Sequence, residues 1–195
     1  MDVTIKDIIT TSISIASLAL SGYALWVVQF RHGRLKMTQP TLVCLKREDP
    51  SMRPKIFLRP LLYTTGSKVR VVQNMYLNVR QDYGTHTFDF WGHTESGKLT
   101  LGSGLFVGST GVASDHHFNP REGLENFVYG GGNYLIEVFA TIVGRHKPEK
   151  LTELTFTVPN EQAAELVQIP RRALFLYWNA RTRSYDGNVE IQPPA

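Results

Sequence analysis

KVRVVQNMYLNVR, residues 68–80, decides the fold class. Read with a period of two, Val69, Val71, Met75, Leu77 and Val79 fall on one face, and Lys68, Arg70, Asn74, Asn78 and Arg80 on the other. Alternation sustained over such a run, rich in β-branched side chains, predicts a strand with one face in a core and one in water. The same period recurs on both sides of it. Upstream, Ile56, Leu58 and Leu62 alternate with Phe57, Arg59 and Tyr63; downstream, Phe88 and Phe90 alternate with Thr87 and Asp89. Tyr134, Ile136, Val138, Ala140 and Ile142 form one further stripe, Leu154, Phe156 and Val158 another, and Leu174, Leu176 and Trp178 the last. One short helix interrupts the pattern, with Asn160 as its cap, Glu161 and Glu165 in its early turns and Pro170 as its stop. Asp186-Gly187 and Gly130-Gly131-Gly132 read as turns. About eight short strands with one-sided burial predict an antiparallel β-sandwich of immunoglobulin-like type, and a closed β-barrel is the alternative because it produces the same alternation.

Ahead of this domain, IITTSISIASLALSGYALWVVQF, residues 8–30, carries no charge over 23 positions. At 1.5 Å per residue it makes roughly 34 Å of helix, enough for a hydrocarbon core of about 30 Å. Trp26 and Phe30 stand where rings sit at headgroup level, just before Arg31, Arg34 and Lys36. Those three cations follow the span, whereas Lys6 ahead of it stands between Asp2 and Asp7. The asymmetry predicts a single-pass anchor with the C-terminal side cytoplasmic and Arg31, Arg34 and Lys36 facing lipid. A cleaved signal peptide is the rival reading, with Gly22-Tyr23-Ala24 as the small-residue site. Within the span, Thr10, Ser14, Ser17, Ser21 and Ala24 recur at spacings of four and three. A stripe of small residues lets helix backbones approach closely, so it is a candidate face for pairing with a second copy or another membrane protein. The expected organisation is an anchor with its basic flank over residues 1–36 and one soluble β domain over 37–195. The tether between them is short, so Lys46, Arg47, Arg53 and Lys55 are further candidates for touching anionic lipid.

The sequence pI of about 9.2 does not imply a nucleic-acid partner. Residues 1–36 hold four basic and two acidic side chains, and the rest of the chain 17 and 15, so no broad cationic footprint remains on the domain. Cys44 is the sole cysteine, within Thr-Leu-Val-Cys-Leu, and reads as a buried strand residue rather than a reactive thiol. The lack of a disulfide pair and of an N-x-[ST] sequon fits a reducing compartment.

The segment 101–120, LGSGLFVGSTGVASDHHFNP, concentrates the unusual residues. Its glycines, Gly102, Gly104, Gly108 and Gly111, lack the following Lys of a phosphate loop and any surrounding βαβ unit, so turns explain them. Asp115, His116 and His117 form a candidate ligand or partner loop. Adjacent strand residues point to opposite faces, which argues against a shared metal, and no G-x-S-x-G elbow supplies a nucleophile for a hydrolase built on Asp115 with either histidine. No catalytic, metal or cofactor site is predicted.

The stretches PKIFLRPLLYTTG (54–66), GSGLFVGSTGVASDHHF (102–118) and YWNARTRSY (177–185) resemble those of uncharacterised bacterial proteins that pair an N-terminal membrane anchor with a small β-sandwich domain. The resemblance implies a bacterial origin and carries no functional residue; with the span it sets the expected location as a bacterial inner membrane. The expected function is a membrane-anchored binding or interaction module on the cytoplasmic face, not an enzyme. Its partner is a membrane protein, a second copy of the chain or a small ligand. The alternatives are a ligand-sensing effector that oligomerises through its helix, and the hydrolase.

Overall fold

A computed structural model of the chain describes residues 5–30, 33–48, 53–82, 84–95, 98–102, 104–120, 127–168 and 171–191. The first element is the helix α1 (Ile5–Phe30). The strands β1 (Leu35–Met37), β2 (Leu42–Glu48), β3 (Arg53–Leu58), β4 (Leu61–Thr64), β5 (Arg70–Gln81), β6 (Gly84–Phe88) and β7 (Phe90–Glu95) follow. Then come β8 (Lys98–Leu101), β9 (Leu105–Val107), β10 (Val112–Ala113), β11 (His116–Asn119), β12 (Gly132–Ile142), β13 (Glu149–Val158), α2 (Asn160–Gln168), β14 (Arg172–Asn179) and β15 (Ser184–Ile191). The chain is mainly β, and among the strands beyond the striped runs β1, β9 and β10 are pieces of two or three residues that cannot display a period.

The strands build three antiparallel sheets. Seven strands run in the order β15-β14-β2-β3-β11-β7-β8, four in the order β13-β12-β5-β6 with β9 also on β5, and three in the order β1-β4-β10. None of the three closes on itself among the described residues, so the barrel alternative is corrected: alternation reports which face is buried and is blind to whether a sheet's edges meet. A single hydrophobic cluster serves all three sheets. It holds Val43, Ile56 and Phe118 from the seven-stranded sheet, Met75, Ile136 and Leu154 from the β5 sheet, and Leu35 and Leu62 from the small one. α2 closes over it with Ala163 and Leu166, its first turn tied by the Ala163 N–H donating to the Pro159 carbonyl. Each large side chain so buried contributes roughly 1.5–3 kcal/mol.

β5 is the long central strand, and it departs from a plain alternation at one residue. Thr141 pairs with Asn74 but Ile142 with Val72, so Gln73 is a bulge. An extra residue in one strand exchanges its faces beyond that point. Met75, Leu77 and Val79 point inward as expected, but Val72 takes the next core position, and Val69 is 56% exposed. Val69 and Val71 therefore stand on the outer face, against expectation. A similar correction applies to Phe88 and Phe90: Asp89 carries the chain from one sheet to the other, leaving Phe88 in the core and Phe90 exposed.

The domain starts earlier than residue 37. Leu35 is 3% exposed and β1 pairs with β4 through Leu35–Thr64 and Met37–Leu62, so residues 33–36 belong to the folded unit rather than to a tether. The Asp186-Gly187 turn is also corrected. The hairpin reverses at 180–183, where the Asn179 side-chain oxygen accepts from the N–H groups of Arg181 and Thr182, and Gly187 lies within β15. A side chain at Gly187 would run into the backbone carbonyl of Phe175, so this glycine serves a close approach of strands and not a turn. α1 is apolar and long enough to cross a membrane over Ile5–Val27, with none of that stretch buried against the rest of the molecule.

Candidate functional site

Two places gather polar side chains: the strand carrying the histidine pair and a pocket at one end of the domain. β11 lies between β3 and β7, so its side chains alternate between the core and the outer face of the sheet. His116 points inward. The Trp91 indole N–H donates to His116 Nδ1 at 3.1 Å, and indole is only a donor, so the ring's proton sits on Nε2 and is donated to Ser114 Oγ at 3.2 Å. Burial pushes this imidazole down to about 3, which keeps it neutral. His93, which has no telling position in the sequence, is the cross-strand partner of His116 and stacks on Trp91. Its Nδ1 is buried without a hydrogen-bond partner.

His117 points to the other face. Its ring meets the edge of Phe57, its Nε2 lies 3.0 Å from Thr94 Oγ1, and burial followed by the nearby Lys55 charge pushes it down to about 4. Asp115 binds Arg59 through both oxygens, at 2.6 and 3.0 Å, and this hydrogen-bonded guanidinium holds its carboxyl below the usual range. The three candidate residues are thus spent on three separate contacts and do not converge. Among the described residues no group of three His, Cys, Asp or Glu side chains is placed to hold a metal.

The pocket, approximately 700 Å³, was not singled out by the sequence. It opens where the edge strand β13 of one sheet faces the β14–β15 hairpin of the other. Arg80, Gln81 and Asp82 come from the end of β5, Asn133 and Tyr134 from the start of β12, Thr155 and Thr157 from β13, and Arg183 and Ser184 from the hairpin. Its floor is aromatic: Tyr134 stacks on Phe156 at 5.2 Å, and Phe156 meets Tyr185 edge-on at 6.0 Å across the two sheets. Tyr185 is fixed in turn by donating to the Pro40 carbonyl at 2.8 Å. Arg183 adopts φ 54°, the left-handed region that non-glycine residues seldom occupy, in the turn built on Asn179. Arg80 approaches Glu137 at 3.4 Å, and Glu137 also takes Lys150 at 2.6 Å, which holds its carboxyl below the ordinary range. The pocket therefore offers two guanidiniums, the Asp82 carboxylate, several hydroxyls and an aromatic base, a set suited to a polar ligand. The signal for it in the sequence is only the concurrence of short polar side chains with Arg at strand ends, which no linear motif marks.

The other predicted residues are placed as follows. Thr10, Ser14, Ser17, Ser21 and Ala24 are exposed along α1, and the hydroxyls of Thr10 and Ser14 donate to the carbonyls of Lys6 and Thr10 one turn back. Arg34 and Lys36 are exposed at the start of the domain, and Arg31 lies outside the described residues. Lys55 is buried and paired with Glu48 at 3.1 Å, and Arg47 donates to the Phe127 carbonyl. Phe127 packs on His86, the partner of Val79 near the far end of β5, so the β2–β3 hairpin carrying Lys46, Arg47, Arg53 and Lys55 lies toward that end of β5 and away from the Arg70–Gly33 contact. Cys44 is buried, and its thiol is pushed up to about 12 by that burial.

No protein-family model matches the chain, and no curated protein does. Among solved structures it is similar to a family 123 glycoside hydrolase from Clostridium perfringens, described in terms of glycolipid glycan hydrolysis, at 12% identity and a TM-score of 0.35. The match covers 66% of this chain and 27% of that one, so the chain spans little more than a quarter of the hydrolase, and a likeness this low carries no argument about fold or activity.

Proposed function

We propose that this is a single-pass protein of the bacterial inner membrane whose β domain, an immunoglobulin-like sandwich on the cytoplasmic side, is a binding module for a partner or ligand. The single observation that carries the reading is the pocket bounded by Arg80, Tyr134, Thr157 and Arg183, in a domain whose histidine pair forms no convergent site. The uncharged span and the cations that follow it support the anchor and its orientation. Pairing along the Thr10–Ala24 stripe is a route by which occupied domains are brought together.

The test is photo-cross-linking in intact membranes, with the full chain carrying a photoreactive residue at Thr157. A reproducible adduct that disappears in Arg183→Glu, and that the same probe moved to the exposed Leu99 never forms, supports the module. Adducts identical at both positions, or unchanged in Arg183→Glu, overturn it.

A further inference from the structure

We propose that the end of the domain at which the chain leaves α1 is a lipid-docking surface for anionic phospholipid headgroups. This rests on reading α1 as a retained membrane span.

The bulge at Gln73 creates the surface. Beyond it, β5, β9 and the turn after β12 place an apolar row on the outer face: Phe106 of β9 pairs with Val71 of β5, and the Val143 N–H donates to the Val71 carbonyl at 2.9 Å. Phe106 is 67% exposed, Val143 57%, and Val69, just ahead of β5, extends the row. The matching inner row is Leu105, Val72 and Ile142, all buried, so the outer row is surplus to the core. An exposed apolar row, unlike single scattered side chains, marks an interaction surface.

The charge around the row has one sign. The segments 33–37, 65–72, 104–110 and 143–149 contain Arg34, Lys36, Lys68, Arg70, Arg145 and Lys147, and Glu149 is their only acidic residue. Glu149 faces Arg145 at 3.5 Å, and Arg70 is occupied by donating to the Gly33 carbonyl at 2.7 Å. Arg34, Lys36, Lys68 and Lys147 are exposed, as is His146 between two cations. Apolar side chains interleaved with cations suit the boundary between acyl chains and anionic headgroups.

Covalent geometry identifies the occupant. Gly33 follows Phe30 by three residues, so it lies within about 11 Å of the end of the span. Arg70 clasps Gly33 directly, and the Thr65 N–H donates to the Arg34 carbonyl, so the Val71 row is locked to the point where the chain meets the bilayer. A soluble partner has no such enforced proximity, and a second copy gains it only where two spans pair.

Cys44 is buried with its thiol raised, so one introduced surface cysteine can be labelled selectively. Full-length protein carrying Val143→Cys, with an environment-sensitive fluorophore attached, is placed in nanodiscs of phosphatidylcholine alone or of phosphatidylcholine with phosphatidylglycerol. Thr85→Cys, at the opposite end of β5, is the aqueous control. The expected result is a blue-shifted emission at position 143 in the anionic discs only, lost in a Lys68→Glu/Arg145→Glu/Lys147→Glu variant, with position 85 unchanged throughout. Equal shifts in both lipids overturn the headgroup assignment. A shift that appears only with two chains per disc overturns lipid in favour of self-association. A label left in water while α1 resists alkaline extraction overturns the docking and leaves the anchor standing. A chain shortened by cleavage near Ala24 removes the anchor reading and the docking with it. Intact mass and extraction distinguish these last two cases.

Discussion

The two ends of β5 present the same residue type in opposite employment. At its start, Arg70 is half-buried and spends its guanidinium on the Gly33 carbonyl, tying down the segment that leads from α1. At its other end Arg80 is exposed, approaches Glu137 loosely and lines an open pocket. One arginine closes the structure and the other leaves it open. The difference lies in the neighbours: a backbone carbonyl brought close by paired glycines at one end, a carboxylate shared with Lys150 at the other. The lesson is that residue identity and strand position do not assign a role until the cross-strand partners are known.

Phe118, on β11 of the seven-stranded sheet, belongs to the core shared with β5 and is fully buried. Phe118→Ala is expected to cost about 3–5 kcal/mol, the range for emptying an aromatic site in a core. Denaturant unfolding of the full chain in micelles, followed by hydrogen exchange, should show both ends losing protection together. Independent loss at one end breaks the view of a single cooperative unit.

The histidines supply a condition that acts on the middle. His116 and His117 are pushed down to about 3 and about 4 from an ordinary 6.5, so between those values the unfolded chain binds protons that the folded one does not. Their contribution is therefore fully present above about pH 6.5 and is lost as pH falls toward 3. Unfolding midpoints at pH 7.0 and 4.5 should differ, and His116→Gln should flatten the dependence. Removing the imidazole outright by His116→Ala strands the Trp91 N–H at a cost of about 1–3 kcal/mol.

Arg70→Met sharpens the contrast between the ends. It removes a charged donor from the Gly33 carbonyl and should cost about 1–2 kcal/mol, with faster hydrogen exchange at 33–37 and 65–70 and none at 133–135. Arg183→Gly acts at the other end only. It relieves a left-handed φ and should change the melting temperature by the equivalent of less than about 1 kcal/mol, upward, while reducing the cross-linked adduct.

The stripes at Ile136–Ile142, Leu154–Val158 and Leu174–Trp178 are legible because each of these stretches keeps one face in the core. The helix at Asn160 was legible for the same local reason, its cap and first turn being written in adjacent residues. Val69 and Val71 were misread because the bulge at Gln73 depends on how β12 pairs, which is information held by another strand. Phe90 was misread because a change of sheet leaves no mark on the alternation. The opposed directions of His116 and His117 followed from strand geometry alone, whereas the neutral tautomer of His116 required knowing that Trp91 and Ser114 face it. The pocket was invisible in the sequence, since its wall is assembled from four separate strands.

The span of β5 also sets an electrical distance. From Arg70 to Arg80 the strand advances ten residues, about 33 Å at 3.3 Å per residue. At physiological ionic strength electrostatic influence decays over about 8 Å, so with the Gly33 end docked, the pocket stands some four decay lengths from the lipid surface. On the docking we propose, a ligand approaching Arg80 and Arg183 is then screened from the lipid surface at the Gly33 end. On that proposal one strand keeps the two sites electrically apart.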